Sequence, residues 1–241
     1  MGWQRQGSGV SVQALLENAC AVLNGGLPVA CVAAGRTDAG VHAAGQVVRI
    51  VLPDRYRAGQ VRDALNFHLK PHHIVVLQAA HAPQGWSPRF DAVGRSYAFA
   101  ILNRRARPAM ALNRVWHVEH RLDVAAMAAG AAMLVGHHDF TSFRATACQA
   151  KSPVRTLDRL DVRRDGDVVT IAAEARSFLH HQIRNIAGTL KLVGEGRWRP
   201  AQVQVALDAR TRSAAGPTAP PEGLTLTAVR YASDPFSPPS A

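Results

Sequence analysis

"VRTLDRLDVRRDGDVVTIAAEA", residues 154–175, alternates apolar and polar side chains on both sides of Asp165 and Gly166. Alternation at period two marks half-buried strands, and an Asp-Gly pair between two such runs is the strongest short-range hairpin signal. Two antiparallel strands are predicted here, and the rest of the chain is read outward from them.

Downstream, Ile183, Ile186, Ala187, Leu190 and Val193 recur at helical spacing, predicting a helix from about His180 to Val193. A short helix starts at Pro200, and "LTLTAVRY" at 224–231 reads as a final strand. Upstream, "FDAVGRSYAFAIL" at 90–102 holds a strand. After it, Asp123 caps a helix with Val124, Met127, Ala128, Ala131, Leu134 and Val135 on one face, closed by Gly136. This half reads strand, helix, strand, strand, helix, extra helix, strand.

The other half begins with a helix capped by Ser11, apolar at Val12, Leu15, Leu16, Ala19, Val22 and Leu23, and closed by Gly25 and Gly26. Strands are predicted at Val29 to Ala33 and Gln46 to Leu52, a helix from Ala58 to Leu69 ahead of Pro71, and a buried strand in "HIVVLQAA" at 73–80. Both halves thus follow the β-α-β-β-α-β order of the ferredoxin-like (RRM-like) split unit, but the first lacks an opening strand. The expected fold class is α+β. "HAPQGWSPRF" at 81–90 carries two prolines and a glycine, so the boundary is set between residues 1–84 and 85–241. "AAGPTAPPEG" at 214–223 reads as a rigid loop and "SDPFSPPSA" at 233–241 as a loose tail.

The composition, 47% hydrophobic and 19% charged, is that of a globular chain, and 241 residues suffice for a substantial core. Lys and Arg number 28 against 17 Asp and Glu, a net charge of +11. Such an excess favours a polyanion partner, DNA or RNA, over a role in solubility alone. No apolar run of 18 residues and no signal-peptide core occur, which predicts a cytoplasmic protein off the membrane. Three cysteines without CxxC spacing, Cys20, Cys31 and Cys148, predict reduced core thiols rather than disulfides or a zinc site.

One acid stands out in this basic chain: Asp38 in "GRTDAGVHA", 35–43. A turn former is the default reading of an Asp between glycines. Arg36 nearby keeps the carboxylate ionised, and Gly35 and Gly40 permit close approach of a ligand, so a nucleophile is the alternative. No second carboxylate shares the loop, which argues against a glycosidase pair. The histidine pairs 72–73, 137–138 and 180–181 lack a second ligand cluster at metal spacing, and adjacent residues are expected to diverge, so no metal is predicted. Tyr97 reads as a half-buried strand aromatic or a base-stacking group, Arg184 as a snorkelling helix arginine, and Leu224 as a strand leucine.

"GWQRQ", "AGRTDAGVHAAGQVV", "GHHDFTSFRA", "CQAKSPVRT", "FLHHQIRNIAGTL" and "GPTAPPEGL" occur in order across the chain. Together they resemble the tRNA pseudouridine synthase A family. The resemblance implies two ferredoxin-like halves sharing a continuous antiparallel sheet, a homodimer binding tRNA, and no cofactor. It implies isomerisation of uridine to pseudouridine in the anticodon stem-loop, at tRNA positions 38 to 40. By the same resemblance Asp38 is the nucleophile, attacking ribose C1′ or the uracil ring, and Arg36 helps displace the target nucleotide. Tyr97 packs on the flipped uracil, Arg184 pairs with the aspartate, and Leu224 forms the apolar wall below the base. Arg104, Arg105 and Arg107 are candidate phosphate contacts or a solvated loop. The family's opening strand is absent before Gly2 and Trp3, which predicts a start site placed late or a truncation, against a genuine short variant. A catalytically dead RNA-binding module and a metal-dependent hydrolase are the competing functions.

Overall fold

The computed structural model describes residues 2–5 and 10–237. The last residues of the expected loose tail, 238–241, lie outside the described residues. Contacts divide the chain into two compact units. One comprises Met1–Ala39, Gln46–Val93 and Val229–Ala241, the other Gly40–Gly45 and Gly94–Ala228.

In the first unit α1 (Val12–Leu23) starts where Ser11 Oγ accepts the Ala14 amide at 3.1 Å. It ends at Gly25 and Gly26, with φ of 66° and 88°, the left-handed region that glycine enters without steric cost. The two expected strands after it shrink to β1 (Val32–Ala33) and, beyond the two-residue β2 (His42–Ala43), to β3 (Val48–Arg49). β1 and β3 form an antiparallel pair. α2 (Ala58–His68) follows, with Leu69 as its C-cap.

The strand expected in "HIVVLQAA" is absent from the described residues: Ile74 to Ala80 make no ladder. Instead the Asn66 side chain grips Val76, accepting its N–H at 2.7 Å and donating to its carbonyl at 2.9 Å. Ile74 and Val76 pack on the core while Val75 and Leu77 stay 70% and 69% exposed. Burial alternates along this apolar run as it would in a strand, but alternation records which face is buried and does not supply a neighbour to bond with. Trp3, Leu16, Cys20, Cys31 and Leu65 form the centre of this unit's core.

The second unit is built on a seven-stranded mixed sheet. Its elements are β2, β4 (Ala92–Leu102), β5 (Trp116–His117), α3 (Val124–Ala132), β6 (Gly136–Asp139), β7 (Val154–Asp165), β8 (Val168–Ala175), α4 (Gln182–Gly194), α5 (Ala201–Asp208) and β9 (Leu224–Tyr231). Strand order is β2-β9-β4-β8-β7-β6, with β5 beside β4. The β2–β9 and β4–β5 pairs are parallel, so hydrogen bonding groups the described strands into a mixed sheet and a separate two-stranded one rather than one antiparallel sheet.

The hairpin of β7 and β8 is as expected, closing at the Asp165–Val168 pair with Gly166 at φ 53°. The register slips once, between Leu157 and Arg159. That bulge reverses the parity of the strand, so Leu157 and Leu160, three residues apart, both reach the core. β5 and β6 were not expected, and α3 is shorter than its apolar stripe because Gly136, at φ 115°, opens β6. Phe99, Ile101, Val169 and Ile171 from the sheet meet Met127 and Ala131 of α3 and Ile186 and Leu190 of α4, all fully buried. Burying each of the larger of these side chains stabilises the fold by about 1.5–3 kcal/mol before chain entropy is counted. Among the described residues no helix is long and apolar enough to cross a membrane.

Candidate active site

Asp38 lies half-buried on an irregular connection of the first unit, with Arg36 exposed two residues before it. The loop is clamped on both sides. Thr37 O accepts the Trp3 amide at 3.0 Å, and Gly35 O accepts from Gln46 Nε2 at 2.8 Å. Trp3 is itself buried at 6% exposure, and Gly2 fits tightly beneath the loop, where a Cβ would stand 3.0 Å from Ala39 N and 3.1 Å from Thr37 O. The backbone that carries Asp38 is thus pinned at Gly35 and Thr37. Sequence reasoning missed both clamps; the only trace of them was the presence of "GWQRQ" and Gln46 within the quoted motifs.

The second unit carries Tyr97, Arg184 and Leu224. Tyr97 is half-buried on β4, on the same face as buried Arg95, Phe99 and Ile101, and its ring meets Phe178 edge-on at 5.2 Å. It thus stands at the margin of the helix-covered face and not in the middle of an open sheet. Arg95, at 8% exposure, donates from Nη1 to the Arg176 carbonyl, closing the end of β8 near Phe178.

Arg184 does not snorkel to solvent. It is half-buried on the first turn of α4, and its Nε–H donates to the Ala219 carbonyl at 2.8 Å. Leu224, 7% exposed, opens β9 as part of the core and follows Gly223, whose backbone lies against the Phe99 ring. The expectation that adjacent histidines diverge fails at His180 and His181. A left-handed His181, φ 62°, at the N-cap of α4 brings the two rings to 4.0 Å between centroids. Arg104, Arg105 and Arg107 are exposed, and Arg104 is engaged with Asp167 at 3.2 Å.

Residues 131–232, which span most of the second unit, match the family described as tRNA pseudouridine synthase. The chain is 65% identical over 237 residues to a protein of Acidiphilium cryptum named tRNA pseudouridine synthase A, covering 98% of this chain and 93% of that one. The chain belongs to the tRNA pseudouridine synthase A family. Two more members, from Gluconobacter oxydans and Paramagnetospirillum magneticum, are 53% and 56% identical over 98% and 95% of this chain. The shares of those relatives covered are 87% and 90%, so both units and the Asp38 loop fall inside the likeness to the family.

Proposed function

We propose that the chain isomerises uridine to pseudouridine in tRNA, acting on the anticodon stem-loop with Asp38 as nucleophile. The observation that carries this reading is identity of up to 65%, over nearly the whole chain, to proteins named tRNA pseudouridine synthase A. The reaction breaks the bond between uracil N1 and ribose C1′ and forms one between C5 and C1′. A proton leaves C5 and one is gained at N1, so atoms balance without a redox partner or group donor. Asp38 supplies the nucleophile, and its pinned loop supports that role. The target base must leave its stack to be reached, at a cost of about a few kcal/mol. Arg36, exposed beside the acid, helps displace it; Tyr97 packs on the extruded uracil; Leu224 closes the apolar wall beneath; Arg184 supplies a fixed positive charge. The net charge of +11 supports binding of the phosphate backbone.

The same reading takes the architecture as two ferredoxin-like halves and the working form as a homodimer. In the second unit the β9-β4-β8-β7 order, with α3 and α4 as the crossovers, supports the ferredoxin-like assignment.

The test is release of tritium from an anticodon stem-loop carrying 5-tritiated uridine. The unmodified chain releases it, and Asp38→Asn, still folded by circular dichroism, loses roughly 10³-fold or more. Stem-loop binding without tritium release by the unmodified chain would refute the enzymatic reading.

A further inference from the structure

Arg184 is bonded to the loop that ends at Ala219. Besides the Nε–H donated to Ala219 O, its backbone carbonyl accepts the Ala219 amide at 3.0 Å, so one residue of the loop fixes it at both ends. What fixes that loop is a polar knot on the next helix residue. Asn185 is fully buried; its Nδ2 donates to Phe143 O at 2.8 Å, and its Oδ1 accepts from Thr218 Oγ1 at 2.7 Å and from Arg212 Nη2 at 3.1 Å. Arg212 Nη2 also donates to Thr218 Oγ1 at 3.0 Å, closing a triangle, and Nη1 reaches Ala215 O at 3.3 Å. One turn on, buried Thr189 donates to Asn185 O at 2.8 Å and accepts the Gly216 amide at 2.9 Å.

Burial pushes the Arg212 guanidinium below its ordinary value, yet among the described residues no carboxylate lies within ion-pairing distance of it. A half-buried cation without a counter-ion costs stability, so holding the loop shut would be served as well by a neutral donor. What a neutral donor lacks is the planar fork that reaches Asn185, Thr218 and Ala215 at once.

We propose that Arg212 is a positioning residue for the isomerisation: through Asn185 and Thr218 it holds the loop ending at Ala219 on α4 and so fixes the direction of the Arg184 guanidinium. This rests on the reading that Arg184 belongs to the active site. Losing the bond to Ala219 O removes one of the constraints on the guanidinium, and misplacement of such a group lowers turnover more than it lowers affinity.

The test combines kinetics with hydrogen exchange. Arg212→Ala lowers kcat on the anticodon stem-loop by about 10-fold or more, with KM within about twofold. Arg212→Lys keeps the charge, loses the fork and behaves like Arg212→Ala. In an Arg184→Ala background, Arg212→Ala produces no further loss, because the group it positions is gone. By NMR, exchange of the Arg184 Nε–H accelerates in Arg212→Ala and in Arg212→Lys; the lysine variant serves alone if the alanine variant unfolds. Losses that multiply in the double variant, or an Arg184 Nε–H whose exchange is unchanged, would overturn the proposal. Full turnover by Arg184→Ala with the exchange effect intact would instead overturn the placing of Arg184 in the active site, leaving Arg212 a structural clamp.

Discussion

Gly188 and Pro217 touch backbone to backbone: a Cβ on Gly188 would stand 1.7 Å from the Pro217 carbonyl oxygen and 2.9 Å from its carbon. The contact is mutual along the chain, because a Cβ on Gly216 would lie 2.7 Å from Thr189 Cα. Here α4 and the 215–219 loop meet without side chains between them, which is what lets Ala219 bond to Arg184 at both its amide and its carbonyl.

Gly188→Ala is therefore expected to destabilise the protein by about 3 kcal/mol, since the obstacle is backbone and cannot rotate aside. Denaturant midpoints measure this. A variant within about 0.5 kcal/mol of the unmodified chain would show that the loop can move off the helix freely.

Asp139 anchors the turn after β6. Its Oδ1 accepts the Thr141 amide at 2.9 Å and the Thr141 hydroxyl at 2.6 Å, while Oδ2 faces Arg210 Nε at 3.8 Å. Burial opposes the charged form, but the two Thr141 bonds and the nearby Arg210 and Arg144 outweigh it and hold the carboxyl below the usual range. A depressed folded value means stability present above the unfolded value of about 3.9 and lost as pH falls through the folded one. Asp139→Asn should cost about 1 kcal/mol at pH 7, with the gap closing in acid below the unfolded value. Urea titrations of both proteins at the two pH values check it; a gap that widens in acid would contradict the assigned sign.

The thiols should separate by reactivity. Cys20 and Cys31 are buried in the first unit's core, whereas Cys148 is half-exposed. A hydrogen bond to Cys20, with burial behind it, pushes the Cys31 thiol up, so it stays protonated and unreactive at neutral pH. Iodoacetamide followed by mass spectrometry should label Cys148 first and the other two only on unfolding. Early labelling of Cys31 would mean that this core opens without global unfolding.

Affinity for the stem-loop should depend steeply on salt, because each phosphate met by Lys or Arg releases bound cations. A plot of log K against log salt steeper than about −3 is expected, at roughly −0.7 to −0.9 per phosphate. A flat plot would remove the charge excess from the account of RNA binding.

Local signals in the sequence were enough for α1, the β7–β8 hairpin, α4 and β9, because each depends on caps, turn residues and periodicity within one segment. They were not enough for Val29 to Ala33, Gln46 to Leu52 and "HIVVLQAA", which are apolar and β-branched as buried strands are yet form two-residue ladders or none. A strand needs a partner with free backbone groups, and that is a non-local fact. β6 escaped notice for the converse reason, since "GHHD" carries little strand propensity and is held by pairing with Val154 to Leu157.

The same division runs through the candidate site. Sequence by itself singled out the candidate side chains: Asp38 in its glycine-flanked loop, Arg36, Tyr97, Arg184 and Leu224. Only the tertiary structure decided what holds them. Trp3 and Gln46 pin the Asp38 loop from opposite sides in sequence, and Asn185, Thr218 and Arg212 knot together a loop and a helix that share no local pattern. Chemistry is legible in residue type because reactivity belongs to the side chain, whereas orientation is not, because it comes from hydrogen bonds between segments that meet only on folding.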